Sequence, residues 1–332
     1  SWHWIFLVNL PIGVAVYALC LALLPSARGH AHGEKLDVAG AVAVTLSLML
    51  AVYAIVNGNE AGWQSAQTLG LLGAAVVLMV LFIAIEARVQ HPLMPLGLFR
   101  LRSVSVSNVV GVLWAAAMFA WFFISALYMQ LVLGYTPMQI GLAFLPANLI
   151  MALFSLGISA RLVMRFGIRR PLSVGLWLAA IGLALFARAP VNGSFVVDVL
   201  PGMLLLGLGA GMALNPLLLA AMSEVSPTES GLASGVVNTA FMMGGALGLA
   251  VLASAAVART ASMEAAGAKL ALALTGGYNL AFLIGAVFAA VAGLLGAVLL
   301  RTASPGSTQN NEDNNSKGSA ASAGTANRAA AS

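Results

Sequence analysis

The hydrophobic positions of this chain fall into nine runs, each free of Asp, Glu, Lys and Arg. A helix needs roughly 20 mostly apolar residues to span the hydrocarbon core of a bilayer. A charged residue at its centre costs roughly 2.5 to 3.5 kcal/mol on insertion scales. Because a soluble core has no need to exclude charge so strictly, the pattern predicts nine transmembrane helices, at residues 4–24, 38–56, 68–85, 104–130, 138–160, 171–187, 199–222, 232–258 and 276–300.

The composition supports an all-α polytopic membrane protein. Of 332 residues, 61% are hydrophobic and 8% are charged, against roughly 25% charged residues in a soluble domain. A transmembrane β-barrel would show segments of about 10 residues with alternating polarity, and the sequence has none. The net charge of +5 does not indicate nucleic-acid binding, because the basic residues lie at the ends of the runs and form no patch interleaved with aromatics.

The basic residues between the runs predict the orientation of the chain. Twelve of the fifteen Lys and Arg residues follow odd-numbered runs, and the other three lie on the opposite side, at Arg188, Arg259 and Lys269. The positive-inside rule places the larger group in the cytoplasm. The prediction is therefore a multi-pass protein of the cytoplasmic (inner) membrane with an external N-terminus and a cytoplasmic C-terminus. That arrangement is expected of the C-terminal portion of an even-spanning protein.

Three connecting segments have distinctive composition. Residues 88–103 contain a proline-broken, amphipathic connector that we expect to lie along the membrane interface. Residues 161–170 are predicted to form a tight basic loop in which Gly167 permits a turn. Anchoring by lipid headgroups explains both segments equally well. Residues 302–332 are rich in Ser, Asn, Gly, Ala and Thr and are predicted to form a disordered cytoplasmic tail.

The sequence offers little catalytic or metal-binding chemistry. A single cysteine, Cys20, excludes disulfides and cysteine-based metal sites. His30 and His32 lie beside Glu34 in a loop, which provides too few fixed ligands for a predicted metal site. The glycine-rich residues 207–211 lack the preceding strand of a nucleotide-binding loop. A membrane-embedded enzyme would need a converging group of acids, bases or metal ligands, so we predict neither enzymatic activity nor a cofactor.

Polar and small residues at helical spacing mark faces that turn away from lipid. Such stripes occur in runs four, five, seven and eight, and the one in run four contains Asn108. Aromatic rings and flexible methionines can repack around solutes of different shape. Close helix packing and ordinary core packing remain alternative explanations of the same stripes. The resulting candidates for a substrate cavity are Phe119, Phe122, Asn148, Ser155, Asn215, Asn238 and Met242.

Several motifs, in order, resemble one transporter family. Residues 2–13, WHWIFLVNLPIG, are similar to the signature that opens the sixth helix of fourteen-helix drug/proton antiporters, the EmrB/QacA-type branch of the major facilitator superfamily. Other segments resemble later helices of that branch. They are LDVAG at 36–40, GW at 62–63, HPL at 91–93 with LFR at 98–100, LYMQ at 127–130 with GY at 134–135, and GLASG at 231–235 continuing to GGALG at 244–248.

The resemblance covers about residues 1–300 and implies a superfamily fold lacking its first five helices. Its implied parts are the last helix of the N-terminal half (1–25), two inserted helices (36–87), the connector (88–103) and the C-terminal six-helix half (104–301). The implied function is proton-coupled multidrug efflux by alternating access. The implied partners are the bilayer, lipophilic or cationic small molecules, protons and the missing N-terminal half. A non-transporting truncated protein, or a structural subunit that requires a partner, is the alternative.

The resemblance also implies family-motif and gating residues. Two departures matter: Met164 stands where the family's loop motif usually has Asp, and Phe241 and Met242 stand where Arg and Gln are frequent. Because the runs contain no acidic residue, the coupling acids are expected in the five helices that this chain lacks. The implied motif residues are Trp4, Asn9, Pro11, Gly13, Arg161, Arg165, Gly167, Arg169, Gly231, Gly235, Gly244 and Gly245.

Overall fold

A computed structural model describes residues 7–23, 37–89, 92–94, 96–226 and 229–300. The chain divides into two units, residues 1–36 with helix α1 and residues 37–332 with helices α2 to α9. A short 3₁₀ helix, Leu96–Arg100, precedes α4. Counting each π turn with the helix that it continues, the helices are α1 Asn9–Leu23, α2 Val38–Ala61, α3 Ala66–Glu86, α4 Arg102–Val132, α5 Pro137–Phe166, α6 Arg169–Phe186, α7 Phe195–Met222, α8 Ser230–Ala265 and α9 Leu270–Leu299.

Helices α2 to α9 are each long and apolar enough to cross a membrane. Helix α1 has 15 residues within the described part of the chain, fewer than the roughly 20 that a span requires. Its flanking residues 1–6 and 24–36 lie outside the described part, as does the predicted tail at 302–332. The prediction of an all-α polytopic membrane protein is confirmed.

Side chains at the helix starts accept hydrogen bonds from free backbone amides. Asp37 Oδ1 accepts from the Gly40 amide at 2.8 Å, and Ser65 Oγ accepts from the Thr68 amide at 3.2 Å. Helix α5 begins with a capping box between Thr136 and Gln139. These caps satisfy amides that have no partner within their own helix. Polar residues that border the apolar runs therefore define where the helices start.

The joint between α5 and α6 differs from the predicted basic loop. The prediction is wrong for residues 161–166 and 169–170, because α5 continues through a π turn at Phe154–Ile158 to Phe166 and α6 begins at Arg169. Only Gly167 and Ile168 separate the two helices. Gly167 has φ 74°, a conformation that glycine adopts without steric cost. Basic side chains are compatible with a helix end, where they interact favourably with the unpaired carbonyl groups.

Helices α4 to α9 pack around an apolar core. Helices α2 and α3 form a hairpin, which contacts this bundle through α2 and α8. Asn59 Nδ2 of α2 donates to the carbonyl and hydroxyl oxygens of Ser254 in α8, at 3.0 and 2.8 Å.

The division of the chain into the segments implied by the resemblance stays a prediction. The largest fully buried side chains of the core include Trp114, Trp121, Tyr128, Phe186, Phe282, Met203 and Leu206.

The N-terminus of α4 is capped by a residue from another part of the chain. Leu101, directly before the helix, makes no side-chain cap. Glu224, between α7 and α8, accepts hydrogen bonds from the Ser103 amide at 3.1 Å and from its hydroxyl at 2.8 Å. A carboxylate there also interacts favourably with the helix dipole. The contact ties the end of α7 to the start of α4.

Replacing Glu224 with alanine should therefore destabilise the bundle by about 1 to 2 kcal/mol, the usual cost of a lost helix cap. Unfolding of the protein in detergent would measure the change. Glu224→Gln keeps an oxygen acceptor and should lose less than alanine. Glu264→Ala, at an exposed position near the end of α8, is the matched control. Equal losses in Glu224→Ala and Glu264→Ala would contradict the capping role.

Candidate functional site

Helices α5 and α7 lie in direct backbone contact. A Cβ atom on Gly207 would stand 2.5 Å from the carbonyl oxygen of Ala147, and one on Gly211 would stand 2.9 Å from that of Met151. Both contacts advance by four residues in the same direction, so the two helices run parallel. Small residues permit this close approach of helices in membranes. At Gly207 and Gly211, the stripe of small residues predicted in run seven therefore packs against α5.

Asn215 lies one turn further along the same face of α7. Its Nδ2 donates to the Ser155 carbonyl oxygen at 2.7 Å and to Ser155 Oγ at 3.3 Å. Ser155 lies in the π turn Phe154–Ile158, a feature that often occurs at functional sites. Pro216, inside α7, lacks the amide that would continue the helical hydrogen bonds. The structure thus brings together two predicted cavity residues at a π turn of α5 and beside a proline of α7.

Phe119 and Phe122, two further candidates, belong to aromatic contacts between helices. The Phe122 ring stacks on Phe144 of α5 with centroids 5.5 Å apart, and its centroid lies 4.3 Å from that of Trp121. Phe119 contacts Phe241 of α8 edge-on at 6.3 Å. Such geometries are favourable for aromatic pairs. Both rings are half-buried, so they combine a packing role with partial exposure.

The remaining cavity candidates lie in other surroundings. Asn148 is half-buried on α5, whereas Asn238 and Met242 are exposed on α8. Met242 is 44% exposed, and its neighbour Met243, not Met242, contributes to a cavity between α2, α3, α4 and α8. None of the seven candidates lines this cavity. The role of each in substrate binding stays a prediction.

The glycines of the thirteenth-helix motif have two different environments. A Cβ atom on Gly244 would lie 2.7 Å from Val112 Cα, and one on Gly245 would lie 2.8 Å from the Phe119 ring. These glycines allow α8 to pack closely against α4. Gly231 and Gly235 are exposed, with open space where a Cβ would stand.

The other motif residues lie at helix ends or on α1. Arg161 and Arg165 are exposed near the end of α5, and the Arg165 guanidinium lies 5.3 Å from the Phe166 ring centroid. Arg169 is half-buried at the start of α6, after the turn at Gly167. Trp4 is outside the described residues. The exposed motif residues of α1 are Asn9, Pro11 and Gly13.

Two buried carboxylates were not identified from the sequence as candidates. Asp37 and Glu86 are 7% and 4% exposed. One oxygen of each accepts a backbone amide, from Gly40 at 2.8 Å and from Met94 at 3.2 Å, respectively. The other oxygen of each is buried without a partner among the described residues. The feature of the sequence that could have identified them is their position, since each carboxylate lies directly next to an apolar run.

Within the described ranges, no group of three or more His, Cys, Asp or Glu residues could hold a metal ion. His30, His32 and Glu34 lie outside these ranges. The predicted cavity residues themselves provide aromatic rings, a thioether and single amide or hydroxyl groups. These groups suit apolar solutes that carry a few hydrogen-bonding atoms.

Within the described ranges, eight helices are long and apolar enough to span a membrane. They pack through glycine contacts and isolated polar pairs, which defines a polytopic α-helical membrane protein. Comparison with known families makes this assignment specific. The Major Facilitator Superfamily model matches residues 1–249. The chain belongs to this superfamily. Since the superfamily consists of transporters, the predictions of the family and of a protein that is not an enzyme are confirmed.

Similar proteins include antibiotic resistance and export proteins of actinomycetes. The puromycin resistance protein of Streptomyces alboniger is 35% identical over 264 residues, which are 79% of this chain and 52% of that protein. The cephamycin export protein of Amycolatopsis lactamdurans is 34% identical over 255 residues, 76% of this chain and 52% of that protein. A lincomycin resistance protein of Streptomyces lincolnensis is 34% identical over 254 residues, with the same coverage. The chain spans about half the length of these relatives.

Proposed function

We propose that the gene encoding this chain specifies an exporter of lipophilic, antibiotic-like small molecules. The observation that carries the proposal is superfamily membership together with relatives named for antibiotic resistance or export. The described residues agree with it, since they combine apolar surface with single polar groups. A structural subunit that does not transport is the alternative outcome.

The proposed mechanism is alternating access, in which two groups of helices rock about a site near the middle of the membrane. In this scheme α4 to α9 act as one transporter half, α2 and α3 are the inserted pair, and α1 belongs to the other half. The polar contact between Asn215 and Ser155 would face the transported molecule. The close contacts of α7 with α5 and α6 would keep this half rigid while it moves.

Transport measurements test the proposal. The gene should be expressed in a drug-sensitive host, and the intracellular accumulation of puromycin and of a lipophilic dye should be followed. We expect lower accumulation than in the empty host and recovery of accumulation when the proton gradient is collapsed. Unchanged accumulation, with the protein present in the membrane, would favour the structural subunit.

Proton coupling is proposed to use carboxylates other than Asp37 and Glu86. Both residues hold backbone amides at helix ends, and a carboxamide can accept the same hydrogen bonds. We therefore expect Asp37→Asn and Glu86→Gln to retain more than about half of the gradient-dependent export, because Asn is as good a helix cap as Asp. Efflux in energised cells measures this. If a variant lost gradient-dependent export while its amount in the membrane stayed normal, proton transfer would be assigned to the carboxylate that was replaced.

The proposed orientation places the α5–α6 joint in the cytoplasm of an inner-membrane protein. Seven described arginines, at positions 88, 100, 102, 161, 165, 169 and 170, lie on the proposed cytoplasmic side, as the positive-inside rule requires. A reporter that is active only in the cytoplasm, fused after Arg170, should be active. Fusion after Arg188 supplies the matched external control, and activity only in that control would reverse the orientation.

A further inference from the structure

Four arginines surround the joint between α5 and α6. Arg161 and Arg165 lie one turn apart near the end of α5, and Arg169 and Arg170 are the first two residues of α6. Arg169 is half-buried, and the other three are exposed. Because arginine is always charged in proteins, these four residues, the basic cluster, concentrate four positive charges at one end of the bundle.

The basic cluster has no counterion among the described residues. Residues 87–197, which include all of α4, α5 and α6, contain no Asp or Glu. Helix α7 runs parallel to α5, so the acidic residues that follow its end lie at the same end of the bundle. These residues, Glu224 and Glu229, accept hydrogen bonds from Ser103 and Ser226 instead. None of the four arginines forms an ion pair with a described carboxylate.

The positions of the four arginines are unfavourable without an anion. Arg161 and Arg165 are four residues apart on one face of α5, a spacing at which like charges repel. Arg169 and Arg170 lie in the first turn of α6, which contains no acidic residue and where the helix dipole disfavours cations. An anion bound by the cluster would offset both effects.

The surroundings of the basic cluster are apolar. Met164 and Phe166, at the end of α5, are 70% and 43% exposed. Nearer to the middle of the same span, Leu149, Leu153 and Leu156 are exposed as well. A molecule that binds here therefore meets guanidinium groups at one end of the span and apolar surface along it. A phospholipid with an anionic headgroup and two acyl chains has the matching distribution, whereas a soluble polyanion such as a nucleic acid does not.

We propose that the basic cluster binds the headgroup of an anionic phospholipid such as phosphatidylglycerol. Guanidinium groups donate N–H hydrogen bonds in a planar fork that matches phosphate oxygens, and basic pockets between transmembrane helices bind anionic headgroups. The acyl chains lie along the exposed leucines of α5. Phosphatidylcholine binds more weakly, because its own choline cation neutralises its phosphate. Lipid binding is measured without transport, so this site and the proposed function are tested separately.

Lipid titration of the full chain in detergent tests the site. Phosphatidylglycerol and phosphatidylcholine with the same acyl chains are added separately, and native mass spectrometry measures how much of each is bound. We expect phosphatidylglycerol to bind about tenfold more tightly, less than four arginines at about fivefold each would give, because neighbouring arginines share one headgroup. Higher salt should lower this preference. Inorganic phosphate should displace little of the lipid, since it lacks acyl chains.

Paired variants show whether the preference depends on the basic cluster. Arg161→Gln combined with Arg165→Gln removes two exposed charges and should lower the preference for phosphatidylglycerol about fivefold. Arg188→Gln combined with Arg259→Gln is the matched control. Both of those arginines are exposed at the other end of the bundle, and the net charge falls by the same amount. The control should keep the full preference.

A phosphatidylglycerol with a diazirine close to its glycerol backbone locates the site on the unaltered chain, and its labels should concentrate at the α5–α6 joint. This measurement and the comparison of the two lipids decide the proposal even if the paired variant does not fold. Equal binding of the two lipids, equal losses in the two double variants, or labelling spread evenly over the exposed helices would overturn it. Displacement of the lipid by inorganic phosphate would also overturn it, because the cluster would then bind an adventitious ion only.

Discussion

Replacing Gly209 with alanine should destabilise the helix bundle by about 2 to 3 kcal/mol, at the upper end of overpacking costs. The added Cβ would lie 2.5 Å from the Gly175 carbonyl oxygen and 2.8 Å from the Ala179 amide nitrogen. Both are backbone atoms of α6 and cannot rotate away. The substitution can be accommodated only if α6 and α7 move apart, which weakens a long contact of the bundle.

Unfolding of the protein in detergent, with increasing denaturant or temperature, would measure this effect. Gly141→Ala is the matched control, because Gly141 lies in α5 with nothing within 4 Å of the added atom. This control should be neutral or slightly stabilising, since alanine favours helix more than glycine does. Similar stability of the two variants would mean that α6 and α7 are not in direct backbone contact.

Replacing Asn215 with leucine should reduce export about tenfold while leaving the protein folded. Leucine is similar in volume but removes the amide that bonds to Ser155, and polar groups within a membrane commonly face a cavity or pathway. Drug accumulation, normalised to protein in the membrane, would measure the change. The expected loss of stability is only about 0.6 kcal/mol, the average for hydrogen bonds between membrane helices.

Two further variants separate a role in transport from helix packing. Ser155→Ala should have the smaller effect, because Asn215 donates at 2.7 Å to the backbone oxygen of Ser155 and only at 3.3 Å to its hydroxyl. Asn57→Leu removes an asparagine whose Nδ2 donates within α2, to the Tyr53 carbonyl oxygen, and should retain export. If Asn215→Leu exported normally, the contact between Asn215 and Ser155 would serve only to pack α5 against α7.

The positions of the helices could be predicted well, but their ends could not. Run eight was predicted to stop at residue 258, whereas α8 continues to Ala265 and includes Arg259 and Glu264. Absence of charge marks the part of a helix within the hydrocarbon. A helix of 36 residues is about 54 Å long, more than the hydrocarbon thickness, so charged residues can occupy its last turns.

The candidate site was predictable only in part. Gly207, Gly211 and Asn215 recur every four residues in run seven, a spacing that puts them on one face of a helix, and in the structure this face contacts α5. No pattern in the sequence indicates that α5 is the helix against which this face of α7 packs. Likewise, Asn108 was visible as a polar residue in an apolar run, but its unpaired oxygen depends on which helices surround it.

From sequence alone it follows that this protein lies in a membrane, approximately where its helices are and which family it belongs to, because those properties depend on local composition, spacing and ordered motifs. Which helix faces meet is visible only in the folded chain. In it, Asn215 bonds to Ser155, Met243 rather than Met242 lines a cavity, and Asn108 Oδ1 has no donor among the described residues. The physical reason is that adjacent residues of a helix point about 100° apart, and the packing of glycine against distant backbone selects the face that is used.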